Sequence, residues 1–123
     1  MRRLLPVITA LIMTATQAFS ADGPVRHVVS FKFKPGTAPA DVRTIEQAFA
    51  GLPSKIKEIQ SFEGGTDVSS EGLSKGFTHL WVLTFANKQA LKTYIDHPDH
   101  VAFVALLKPS LEDAFVFDFH PQP

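Results

Sequence analysis

The chain contains no cysteine in its 123 residues. That excludes disulfides, thiol nucleophiles and thiolate metal sites, and it leaves no residue for a lipid-bearing cysteine anchor. Net charge is equally absent, with 12 basic side chains balanced by 12 acidic ones. Neither nucleic acid nor an anionic membrane surface is expected as a partner, because both favour a basic patch. Several catalytic signatures are missing too. There is no His-Glu-x-x-His for a zinc hydrolase, and Gly72-Leu-Ser-Lys-Gly76, which matches Gly-x-Ser-x-Gly in letters, lies in a polar turn before a strand and not between a strand and a helix as a serine hydrolase needs. Gly64-Gly65 is followed by no Lys-Ser/Thr and opens no helix, so it is not a phosphate loop.

The apolar run from Leu4 to Ala15 falls short of the roughly 20 residues that a membrane-spanning helix needs. It follows Arg2 and Arg3 and leads to Ala18-Phe19-Ser20, which sets small residues where a signal peptidase requires them. Residues 1–20 therefore read as a secretory signal peptide, with cleavage before Ala21 and a periplasmic or secreted mature domain over residues 21–123. No membrane association is expected after cleavage. A mature chain of that length holds one domain with a modest core.

Val25 to Lys34 alternates, with Val25, His27, Val29, Phe31 and Phe33 on one face: a half-buried strand, ended by Lys34-Pro35-Gly36. Pro39 and Asp41 suit a first helical turn. Val42, Ile45, Phe49 and Leu52 then form an apolar helix stripe. Ile56 to Val68 reads as a second strand, with Gly64-Gly65 as a bulge or close backbone approach. Phe77 to Phe85 is a third, carrying His79 and Trp81 on one face and Leu80 and Val82 on the other. Asn87 caps a helix from Lys88 to Ile95. Asp96-His97-Pro98 breaks it, and a second segment runs from Pro98 to about Leu107. Ala114 to His120 is the last strand, with Phe115, Phe117 and Phe119 on one face.

The order β-α-β-β-α-β predicts an α+β, ferredoxin-like antiparallel sheet with helices on one face. Eleven phenylalanines are too many for the other face to stand in water. Two sheets face to face in a homodimer, a dimeric α/β barrel, bury it.

The polar residues that stand out are His27 and His79 on apolar strand faces, and Tyr94, His97 and His100 around the helix break. His100 suits a general base near neutrality, and Tyr94 a hydrogen-bond donor to a carbonyl or developing oxyanion. Such a pair suffices for proton abstraction beside a carbonyl, hence enolisation, aldol closure or isomerisation. The expectation is one cavity in which Tyr94 and His100 are catalytic. His27, His79, His97, Val29, Phe31, Phe49 and Trp81 line it as substrate-binding residues. A purely structural reading competes: buried histidines bonded to backbone, a Pro-containing helix cap, and a core tyrosine. His97 and His100 are three apart beside Asp96 and Asp99, a spacing a divalent ion could use, but Pro98 disturbs the geometry. No metal and no cofactor is expected.

Two stretches carry a family resemblance. One is His27-Val-Val-Ser-Phe-Lys-Phe-Lys34. The other is Phe77-Thr-His79, followed by Phe85, Tyr94-Ile-Asp-His97-Pro-Asp-His100 and Phe117-Asp-Phe119. Together they resemble the stress-responsive A/B barrel domain, over almost all of the mature chain. The resemblance implies a dimeric ferredoxin-like barrel. It also implies cofactor-free chemistry of the kind one plant member performs, an intramolecular aldol closure of a linear polyketide thioester. The tyrosine and histidine that act there match Tyr94 and His100, and its other pocket histidines match His27, His79 and His97. That enzyme has a tyrosine where Phe49 stands, a small aliphatic residue in place of Trp81 and a tryptophan in place of Leu111. The function expected is an exported homodimer that binds a small apolar carbonyl or aromatic compound, with cyclase, lyase or isomerase chemistry. A non-catalytic stress-protective or ligand-binding dimer is one alternative. A cofactor-free oxygenase or haem-handling protein, argued from fold analogy alone, is the other.

Overall fold

A computed structural model describes residues 2–7, 9–12 and 23–123. The expected cleavage point before Ala21 lies outside the described residues. Within the leader, residues 2–7 and 9–12 belong to no helix or strand, and Leu4, Leu5, Val7, Leu11 and Ile12 are exposed.

The strands are β1 (Val25–Phe33), β2 (Ser61–Thr66), β3 (His79–Phe85) and β4 (Leu111–Phe119). The helices are α1 (Pro39–Ala50), α2 (Lys88–Asp96) and α3 (Pro98–Leu107). The strands form one antiparallel sheet in the order β2-β3-β1-β4. The expected ferredoxin-like architecture is therefore present, with β1 paired to both β3 and β4 at the centre.

Alternation decides which side chains meet the helices. Val25, Val29 and Phe31 of β1 and Trp81, Leu83 and Phe85 of β3 are buried on that side. Ile45 and Phe49 from α1, Leu91 and Tyr94 from α2, and Phe103 and Leu107 from α3 close over them. Pro39 begins α1 with Asp41 in its first turn, and Gly51 caps its end. Asn87 caps α2 as its chemistry predicts, its side-chain oxygen accepting the Ala90 N–H at 2.8 Å.

Two boundaries differ from the sequence reading by three residues or more. β2 begins at Ser61 rather than Ile56, because residues 52–59 turn back on themselves. The Ile56 N–H donates to the Leu52 carbonyl, and Ile59 donates to Ile56. Both isoleucines are buried all the same, so apolar character there marks a core-plugging turn and not a strand. β4 begins at Leu111, ahead of Ala114, because a short 3-10 turn over Lys108–Ser110 delivers the chain directly to β1. The Lys34 N–H bonds the Ser110 carbonyl at 2.8 Å, and a register irregularity at Lys32/Phe33 accommodates the join.

The opposite face of the sheet has no helix over it. Leu80, Phe115, Phe117 and Phe119 stand 44, 51, 55 and 41% exposed there. Phe117 is the partner of Val28 in the β1–β4 register, so the apolar surface is continuous across strands.

Gly64 explains how Trp81 fits. The two are register partners, with no bulge between β2 and β3. A Cβ on Gly64 would overlap the indole Cδ1 and lie 2.6 Å from Cγ and Nε1. The indole thus rests on bare backbone, a close approach only glycine permits. Gly65, its neighbour, has open space where a Cβ would go. Gly64→Ala should destabilise the protein by about 1–3 kcal/mol in urea unfolding, as overpacking does. Gly65→Ala should stay within about 0.5 kcal/mol. Equal midpoints for the two variants would refute the packing account.

Candidate functional site

Tyr94 lies in the last turn of α2 and His100 in the first turn of α3. Between them Pro98 lacks the N–H that a continuous helix needs. His97 takes extended backbone and caps α3, its Nδ1 accepting the Asp99 N–H at 3.1 Å. The resulting corner brings the Tyr94 and His100 rings to 4.4 Å between centroids. His27, from the centre of the sheet, stands edge-on to Tyr94 at 5.8 Å.

The protonation states follow from the partners. The His100 Nδ1–H donates to the Ile95 carbonyl at 2.9 Å. A carbonyl can only accept, so a neutral His100 keeps its lone pair on Nε2. Burial lowers the His100 pKa from the ordinary 6.5, against the upward pull of the Ile95 bond, and the neighbouring His27 and His97 lower it further. His100 is consequently neutral at pH 7, a base with one free nitrogen. Burial has the opposite effect on Tyr94, pushing its phenol well above the ordinary 10. Tyr94 stays protonated and serves as a donor. Its hydroxyl has no hydrogen-bond partner among the described residues, yet no fully buried side-chain oxygen there is left unpaired. Tyr94 is 1% exposed in all, so the ring is enclosed and the hydroxyl has no more than a sliver of accessible surface.

His27 has a partner that the sequence reading gave no role. Asp118 of β4 lies directly across from it in register and accepts a hydrogen bond from its Nδ1–H. The carboxylate fixes the ring and leaves Nε2 as the acceptor nitrogen. Alternation contained the signal. With Phe115, Phe117 and Phe119 on the open face, Asp118 must face the helices, and a ferredoxin-like strand order sets β4 beside β1.

The expected common cavity divides into two places. His27 pairs with Leu83, whereas His79 pairs with Phe31. That is four residues along the sheet, or about 13 Å by strand rise. His79 sits against Phe33 and Trp81, its Nε2 3.4 Å from the Glu46 carboxylate and its Nδ1 2.7 Å from the Thr78 hydroxyl. It does not join Tyr94 and His100. Phe31, Phe49 and Trp81 pack with one another at 4.8–5.9 Å, and Phe103 closes on Phe49 at 4.6 Å. These residues, with Val29, are filled core between the sheet and the helices and line no open volume there. Trp81 provides the bulk, and its position on Gly64 leaves it nowhere else to go. Open space lies elsewhere: His79 borders a pocket of about 650 Å³ beside β2 and β3, and His100, without Tyr94, forms part of the wall of a cleft of about 330 Å³ along α3. Among the described residues no group of three or more His, Asp or Glu side chains could hold a metal ion.

Sequence and fold are similar to those of known proteins. The chain is 39% identical over 101 residues to the stress-response A/B barrel domain-containing protein HS1 of Arabidopsis thaliana, covering 82% of this chain and 93% of that one. It is 28% identical over 98 residues to olivetolic acid cyclase of Cannabis sativa, covering 80% and 97%. A crystal structure of a dimeric ferredoxin-like protein from Thermobifida fusca superposes with a TM-score of 0.68 at 28% identity, covering 80% of this chain and 91% of that one. The model of the Stress responsive A/B Barrel Domain matches residues 25–121, and the chain belongs to that family.

Proposed function

We propose that the mature protein is an exported homodimer whose Tyr94–His100 corner binds a small apolar carbonyl or aromatic compound and moves a proton beside its carbonyl. The observation that carries the reading is the pairing itself. A neutral imidazole, its Nδ1–H held by the Ile95 carbonyl, has its ring centroid 4.4 Å from that of a protonated phenol whose hydroxyl has no partner among the described residues.

In the proposed step Nε2 of His100 takes a proton from the carbon next to the carbonyl. The C–H electron pair moves into a carbon–carbon double bond, and negative charge collects on the carbonyl oxygen. The Tyr94 hydroxyl donates a hydrogen bond to that oxygen. His27, held by Asp118, flanks the tyrosine. If the compound is β,γ-unsaturated, the dienolate takes the proton back from His100 at its γ-carbon, which is isomerisation; otherwise the enolate carbon attacks a second carbonyl of the same molecule and the new alkoxide takes that proton, which is ring closure. The relationship to olivetolic acid cyclase supports the ring-closing variant. A ligand-binding dimer without turnover is the second reading. The packed centre around Trp81 favours it, since an open reaction chamber between sheet and helices is not available.

Exposed phenylalanines on the open face and the dimeric relative from Thermobifida fusca support the homodimer. Export rests on the leader's own features, Arg2-Arg3 followed by an apolar stretch whose described residues Leu4, Leu5, Val7, Leu11 and Ile12 stand outside the core.

Exchange of α-hydrogens of 4-phenyl-2-butanone in D₂O, followed by proton NMR, tests the chemistry. The protein should accelerate exchange, and His100→Ala should slow it by about 10²–10⁴-fold while leaving the fold intact. Tyr94→Phe should reduce kcat more than it weakens binding. Because the base must be neutral, exchange should be full above the His100 pKa and fall away as pH drops through it, at a value below 6.5. Binding that shifts His100 resonances without any accelerated exchange would select the non-catalytic reading.

Sedimentation at micromolar concentration should give twice the mass of the mature chain. Phe117→Arg should shift it to monomer, by placing a charge in the sheet-to-sheet contact. A wild-type monomer would overturn the dimer. Mass spectrometry of the native protein should find its N-terminus at or near Ala21, and a chain retaining Arg2 and Arg3 would overturn export by this leader.

A further inference from the structure

The cleft beside His100 contains a charge that proton transfer leaves unused. His100, Val104 and Lys108 follow at i, i+4 and i+8, so α3 sets them in one row down a single face. Val101 and Ala105 form the adjacent row, and Ile95 of α2 closes the His100 end. These six residues line the cleft. Its walls are aliphatic between the two ends, with the imidazole at one and the Lys108 ammonium at the other. Helix rise separates their Cα atoms by about 12 Å.

Lys108 has no carboxylate within ion-pair distance among the described residues, whereas Lys32 faces Glu112 and Lys92 faces Asp96. Its place at the C-terminal end of α3 suits the helix dipole. The dipole accounts for a cation at that end. It does not account for an aliphatic trough leading from that cation to the candidate base.

We infer that the ligand is an anion with an apolar body, an inference that rests on the function proposed above. Its carbonyl lies at His100, its hydrocarbon or aryl part lies along Val101, Val104 and Ala105, and its carboxylate or comparable small anionic group meets Lys108. The cleft runs along the helix layer, away from the open sheet face, so a sheet-to-sheet dimer leaves it accessible.

The test uses two probes that differ only in charge, 5-oxo-5-phenylpentanoate and its methyl ester. Each is titrated into the full mature protein by calorimetry, with His100 ring signals followed by NMR. The carboxylate should bind about three- to tenfold more tightly than the ester, the range open to a partly exposed ion pair. The preference should shrink as salt is raised. Lys108→Met keeps the aliphatic stem and should erase the preference, and Lys108→Arg should keep it. Equal binding of the two probes with His100 signals moving would overturn the anion inference and leave the carbonyl site standing. So would a preference that survives in Lys108→Met. Failure of both probes to move His100 would remove the carbonyl site and the inference with it.

Discussion

Pro98 has no N–H, and the site is arranged around that missing donor. In an unbroken helix the residue at this position would bond the Tyr94 carbonyl. Here the His97 N–H does so instead, at 3.1 Å, which tightens the end of α2. The Asp99 N–H would bond Ile95, but it turns to the His97 side chain. The Ile95 carbonyl is thereby released, and it accepts the Nδ1–H of His100. One missing hydrogen therefore leads to three replacements. The last of them fixes the tautomer of the candidate base. The same corner turns α3 against α2, so that two residues six apart in sequence meet ring against ring at a tilt of 47°. A cap and a catalytic arrangement are not rival accounts of Asp96-His97-Pro98-Asp99-His100, because the cap produces the arrangement.

The sheet meets two different demands. On the helix side it is filled to the backbone, with the Trp81 indole on Gly64 and rings of Phe31, Phe49 and Phe103 around it. Packing of that density leaves little room to rearrange, which makes it a rigid platform for His27 and its partner Asp118. On the other side the same strands present Leu80 and three phenylalanines to solvent. Alternation enforces this division, since each strand must send every second residue to the face without helices.

Periodicity made the fold readable. β1, β3, α1 and the α2–α3 break follow from alternation, helix spacing and proline alone. What stayed hidden depends on packing. Ile56 and Ile59 look like strand residues because burial and extended structure share a composition, and only hydrogen bonding distinguishes them. The separation of His79 from His27 depends on strand register, since both occupy the same face and only pairing fixes their distance along it. The location of empty space depends on the volume of Trp81 and the absence of a Cβ at Gly64, quantities that no spacing rule contains. Lys108, just before Pro109, reads in the sequence only as a helix terminus, and its relation to His100 appears when the i+8 row is seen to border a cleft.

Burial acts on both members of the central pair in the same sense. It disfavours charge, so it lowers the pKa of His100 and raises that of Tyr94. Both groups therefore rest neutral near pH 7, and no charge has to be desolvated to assemble the corner. Charge would arise only during reaction, as an imidazolium and an enolate formed together. Opposite charges created side by side in a low-dielectric setting attract strongly, and this offsets the cost of forming each. An ionised tyrosine would repel the enolate, and an already protonated histidine could not accept the proton. The burial that keeps the two rings uncharged is thus the same property that would let them exchange a proton with a bound carbonyl compound.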